Sequence, residues 1–113
     1  MPRDYRVFLE DMLQSLTRIH VLTSGLSYDD FLKDLTKQEA VIRNLEIIGE
    51  AAKNIPKEIR SSYPDIDWPR IGGLRDILIH QYFTIDLEII WDIIWHNLPS
   101  LEVQIKRILS GRI

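Results

Sequence analysis

Apolar residues in this chain recur at steps of three and four, and no stretch alternates with the two-residue period of a strand. In a helix of about 3.6 residues per turn such steps return to one face, so the chain must form helices and bury their stripes against one another. Tyr5, Phe8, Leu9, Met12, Leu16, Ile19 and Thr23 define the first stripe, and Ser24-Gly25 ends it. A second helical stretch begins near Ser27, or after a break at Thr36, and carries Val41, Leu45, Ile48, Ala52 and Ile55 until Pro56 ends or interrupts it. Glu39, Arg43, Glu46 and Glu50 lie on its other side and read as a solvated face. The turn-rich segment SSYPDIDWP, 61–69, is the one long irregular connection expected. A third helix is predicted from Asp67 to Pro69 toward His80, and a last one from a cap at Thr84 or Asp86 to about Leu109. The expected fold is all-α, an antiparallel helical bundle in a single domain over residues 1–113.

At about 100° per residue the last helix carries two apolar stripes. Leu87, Trp91, Ile94, Leu98, Leu101 and Ile105 form the stripe expected to face the core, and Ile89, Ile93, His96, Ser100 and Val103 run roughly opposite. An ordered apolar row outside the core points to a partner helix, most simply the same helix of a second copy, so a homodimer is expected.

A chain of 113 residues has room for one hydrophobic core. Its 45% hydrophobic and 27% charged residues match a soluble globular protein. The absence of cysteine excludes disulfides and thiolate metal sites, leaves packing to hold the fold, and fits a cytoplasmic location. The opening MPRDYRVFLEDML interrupts its apolar residues with acids, unlike a signal peptide or anchor. LEIIWDIIW is also broken by acids, far short of the roughly 18 apolar residues that a membrane span requires. A net charge of −3 argues against a broad basic face for nucleic acid, so any such contact should be local. Candidate basic patches are Arg3, Arg6 and Arg18; Lys53, Lys57, Arg60 and Arg70; and Lys106, Arg107 and Arg112. His20 and His96 show no carboxylate partners at metal-ligand spacing, and no metal is expected. Trp68, Trp91 and Trp95 are expected in the core rather than as base-stacking platforms.

Within this helical frame the run RDILIHQY, 75–82, places Arg75, Asp76, His80 and Tyr82 where a packed core would more easily hold apolar residues. Along one unbroken helix, positions five apart lie about 140° around the axis, so Arg75 and His80 do not share a face. Positions seven apart nearly coincide, which sets Tyr82 above Arg75. Convergence on one phosphate then needs the long arm of arginine, a helix end near His80, or a second chain. Spacing alone leaves open whether these residues are catalysts or core-edge groups with hydrogen-bond partners. Gly72 and Gly73, just before the run, suit close approach by a partner helix or RNA, or a plain loop or helix start.

RDILIHQY resembles the R-x-x-x-x-H-x-Y signature of HepT-like toxins, a branch of the HEPN superfamily. RNLEIIGEAAKNIP at 43–56, PDIDWPRIGGLRD at 64–76 and YFTIDLEIIWDII at 82–94 are also similar to this family, so the likeness covers most of the chain. Asp76 departs from the asparagine that many members carry, although aspartate also occurs there. The resemblance implies a HEPN-like helical fold and a metal-independent endoribonuclease without a cofactor, with Arg75 and His80 catalytic; Asp76 is a supporting candidate that either orients Arg75 or a histidine or only caps charge beside the cleft.

Those residue types suit the reaction. RNA carries its own nucleophile, the 2′-hydroxyl, so cleavage needs a base for that proton, an acid for the leaving 5′-oxygen and a cation for the phosphorane. Histidine, with a reference pKa of about 6.5, serves as base or acid near neutrality. Arginine stays charged and offers two parallel donors to phosphate oxygens. One histidine cannot conveniently be both base and acid in one step, whereas a dimer supplies two, so a composite cleft at a two-fold axis is expected.

The resemblance further implies a type VII-like toxin–antitoxin pair, in which a minimal nucleotidyltransferase antitoxin transfers AMP to Tyr82. The nucleotide would put bulk and negative charge where the RNA phosphate should sit. The alternative is a non-catalytic helical adaptor that binds such a nucleotidyltransferase or a nucleotide.

Overall fold

A computed structural model of the chain describes residues 4–80 and 86–111, with side chains described outside 75–80. Among the described residues the elements are α1 (Tyr5–Thr23), α2 (Tyr28–Lys33), α3 (Leu35–Lys53), α4 (Lys57–Ser62), α5 (Trp68–His80), α6 (Leu87–His96) and α7 (Leu98–Leu109), with no strand. The all-α expectation holds.

Side-chain caps set most helix starts. The Asp4 carboxylate accepts from the Arg6 N–H at 3.0 Å to open α1, and Gly25, at φ 73°, turns the chain in the left-handed region after α1 ends. The sequence offered two starts for the next helix, and the chain uses a variant of both. Ser27 accepts from the Asp30 N–H at 3.1 Å and opens the short α2, then Asp34 accepts from the Lys37 N–H at 3.0 Å and opens α3. The break therefore falls at Asp34, two residues before Thr36, because aspartate at that position can satisfy an orphan amide of the new helix.

The core forms where the stripes meet. Leu9, Met12, Leu16 and Ile19 of α1 and Val41, Leu45, Ile48 and Ala52 of α3 are buried. Helix α3 packs along both α1 and α5, and α7 lies against α1. Phe31, fully buried, anchors α2 to this core. The start of α1 is tied to the end of α7: Arg6 Nη2 donates to the Leu109 carbonyl at 2.6 Å, meeting an orphan acceptor at a helix C-terminus.

Two elements differ from expectation. Pro56 does not merely end α3; it precedes α4, so the irregular connection shrinks to residues 63–67. Helix α4 escaped notice because KEIRSS holds one apolar residue, Ile59, and so has no stripe. The predicted last helix is two helices, broken at Asn97. Pro99 has no N–H to give the Trp95 carbonyl, and its ring crowds that oxygen, so the helical ladder cannot run through.

The break also alters the two stripes. The core side of α6 and α7 is Ile90, Ile94, Leu98, Leu101, Ile105 and Ile108, with Leu87 and Trp91 only half-buried against it. The opposite row is not a continuous apolar seam. Ile89 and Val103 are exposed at 59% and 57%, but Ile93 between them packs on the core. The partner-helix surface expected from that row is therefore interrupted. Among the described residues, no helix is long and apolar enough to cross a membrane.

Candidate active site on the fifth helix

Helix α5 is held firmly at its start. Asp67 accepts from the Arg70 N–H at 3.2 Å, and the indole of buried Trp68 donates to the Tyr63 carbonyl at 3.1 Å. Ile71 and Leu74 are half-buried against the core. Both glycines fall inside the helix and neither has a positive φ, so the loop reading is wrong for them. Gly72 is buried, and a Cβ there would meet Lys53 Cγ of α3 at 3.2 Å. The close approach at Gly72 is thus made by the stem of Lys53, within the same chain. A Cβ at Gly73 would meet nothing within 4 Å.

Arg75, Asp76 and His80 all lie on α5, and their side chains are outside the described residues. Tyr82 lies wholly outside them. The backbone still narrows the choices, since α5 remains helical through His80 and no helix end separates it from Arg75. Five residues of helix separate these two positions by about 7.5 Å along the axis and about 140° around it. Convergence on one phosphate is left to the reach of arginine or to a second chain. Asp76 and His80 are four apart and share a face.

The other candidates are scattered. Arg6 serves the end of α7, and Lys106 Nζ lies 3.8 Å from Glu102. His20 is exposed on α1. His96 does have a carboxylate partner, contrary to expectation: its Nδ1 is 2.7 Å from Asp92, one helical turn back. Among the described residues, no three His, Cys, Asp or Glu side chains cluster as metal ligands would.

The tryptophans divide. Trp68 is core, Trp91 is half-buried, and Trp95 is 41% exposed, so the core expectation fails for the last. Trp91 sits at the centre of an aromatic group, with ring centroids 5.8 Å from Tyr28, 5.2 Å from Phe31 and 5.5 Å from Trp95. The group borders an open cleft of about 810 Å³ between the start of α2 and the outer side of α6. Sequence reasoning missed this cleft because its walls come from segments some sixty residues apart. The only local signal was the exposed phase of Ile89 and His96.

Comparison with known proteins bears on the α5 motif. The family model described as "Ribonuclease HepT-like" matches residues 12–108, a span that includes all of 75–82. The chain belongs to the HepT-like ribonuclease family. Similar proteins include "Putative RNase MJ0127" of Methanocaldococcus jannaschii, 46% identical over 97% of this chain and 92% of that protein. "Putative RNase TTE0752" of Caldanaerobacter subterraneus is 45% identical over 93% of this chain and 94% of its own length. "Probable ribonuclease HepT" of Thermococcus cleftensis is 39% identical over 96% of this chain and 98% of its own. No solved structure matches the chain. HepT-like membership makes this an enzyme of RNA cleavage, and the resemblance first seen in RDILIHQY extends across almost the whole chain.

Proposed function

We propose that this HepT-like protein cuts RNA internally without a metal, using Arg75 and His80 of α5 at a cleft shared by two copies, and that it acts in the cytoplasm as the toxin of a type VII-like toxin–antitoxin pair. The observation that carries the reading is the R-x-x-x-x-H-x-Y run, which lies inside the family match and whose Arg75 and His80 share one continuous helix. Its register supports a composite site, because one helix holds Arg75 and His80 on different faces. His80 of one copy takes the proton from the 2′-hydroxyl. The oxygen then attacks phosphorus, and the P–O5′ bond breaks as the second copy's imidazolium gives its proton to the leaving oxygen. Arg75 faces the phosphorane, where a paired donor is most useful. Asp76 sits one turn before His80, the spacing at which Asp92 and His96 pair on α6, and orients the imidazole.

Tyr82 is the control point. A minimal nucleotidyltransferase antitoxin transfers AMP from ATP to its hydroxyl and releases pyrophosphate, leaving charge and bulk beside Arg75. Both parts can be tested with the purified chain. Incubated with RNA and a chelator, it should cut, whereas His80→Ala and Arg75→Ala should each lose about 10²- to 10⁴-fold in rate. Equal cleavage by all three would trace the activity to a contaminant and leave the non-catalytic adaptor as the better reading. Mass spectrometry after mixing with the nucleotidyltransferase and ATP should place AMP on Tyr82. Modification elsewhere would remove the capping role.

A further inference from the structure

We propose that the cleft between α2 and α6 is a docking site for an arginine-bearing segment of a protein partner. The proposal is independent of the ribonuclease reading. Its first support is the kind of surface left open. Trp95 and Ile89 are exposed at 41% and 59%, and Trp95 continues the ring contacts of Trp91 and Tyr28, so the cleft has an aromatic wall.

The second support is charge. Glu88 and Asp92 line the same cleft, Asp92 already 2.7 Å from the Nδ1 of His96, which lines it too, and the described lining contains no lysine or arginine, so Glu88 is the carboxylate left open there. The half-buried setting of Tyr28, together with the carboxylates of Glu88, Asp86 and Asp29, pushes its hydroxyl above the usual tyrosine range. That agrees with a negative field across the opening. RNA phosphates are repelled by such a field, so Trp95 is poorly placed to stack bases.

A guanidinium answers both features at once. Its planar face stacks on tryptophan, its edge donates to carboxylates, and it gives up water more readily than an ammonium. Neighbouring aliphatic side chains on the same segment would cover Ile89. A cleft of about 810 Å³ is large enough for several side chains of one short segment. A second copy of this chain suits the place less well, because a two-fold contact centred here would bring the carboxylates of both copies together.

The test uses the full chain and two synthetic leucine-rich helical peptides, one carrying arginines four residues apart and the other citrulline in their place. Citrulline keeps the shape and removes the charge. Indole N–H signals of the three tryptophans, assigned by single Trp→Phe variants, report on the cleft at Trp91 and Trp95 and on the core at Trp68. The arginine peptide should shift the first two saturably and leave Trp68 in place. The citrulline peptide, and the arginine peptide on a Glu88→Gln/Asp92→Asn double variant, should each bind roughly tenfold more weakly. Equal binding of both peptides, or no saturable shift at Trp95, overturns the proposal. So does a halved particle mass for Trp95→Ala in sedimentation, which would assign the cleft to a second copy.

Discussion

Replacing Gly73 with alanine should stabilise this protein, although the position lies two residues before the proposed catalytic arginine. Gly73 is within α5 and lacks a positive φ, so alanine can adopt its backbone conformation without strain. A Cβ built there meets nothing within 4 Å, so there is no steric cost to set against the gain. In a helix interior alanine is favoured over glycine by about 1 kcal/mol, mostly because the unfolded chain loses fewer conformations on folding. With an unfolding entropy of roughly 2.1 cal/mol/K per residue, that gain raises the thermal midpoint of a 113-residue chain by about 4 °C.

Gly72→Ala is the internal control. The same propensity gain is opposed there by Lys53 Cγ at 3.2 Å, which must move by a few tenths of an ångström. The lysine stem can give, so the net gain should be smaller than at Gly73 while keeping its sign. Urea unfolding followed by circular dichroism, with an unchanged slope on denaturant, measures both. A destabilised Gly73→Ala refutes the reasoning, since it would mean that another surface packs on this side of α5.

Two further outcomes follow from particular contacts. Arg6→Ala should cost about 1–2 kcal/mol in urea unfolding by leaving the Leu109 carbonyl without its charged donor, and no loss would show that the bond at 2.6 Å contributes nothing in solution. Tyr28 should ionise above pH 10 because burial and then Glu88, Asp86 and Asp29 disfavour the phenolate. The folded chain therefore holds a proton that the unfolded chain would release, and this contribution to stability is present below the ordinary tyrosine pKa and fades as pH rises through the folded value. The ultraviolet difference between the parent and Tyr28→Phe, followed with pH, checks the sign. A midpoint at or below 10 for Tyr28 would contradict it.

Local pattern settled more of this protein than its length suggests. The stripes on α1 and α3 were readable because each needs only its own residues at helical steps, and their burial followed. The roles proposed for Arg75, His80 and Tyr82 rest instead on the likeness of RDILIHQY to the HepT-like signature, because spacing along the helix left them open, and the family match spans that run. Helix α4 was hidden because its six residues carry one apolar side chain and bury none completely, so it leaves no periodic stripe to read. Pro99 was a visible signal that the two-stripe pattern masked, and the break at Asn97 shows that a missing N–H outweighs apolar phase.

Other features belong to the tertiary structure alone. The Arg6 tie joins residues 103 apart, the Lys53 stem over Gly72 joins two helices, and the aromatic cleft needs Tyr28 brought to Trp91. Periodicity carries information over about a helical turn or two, whereas these contacts depend on where whole helices settle once their buried faces have found one another.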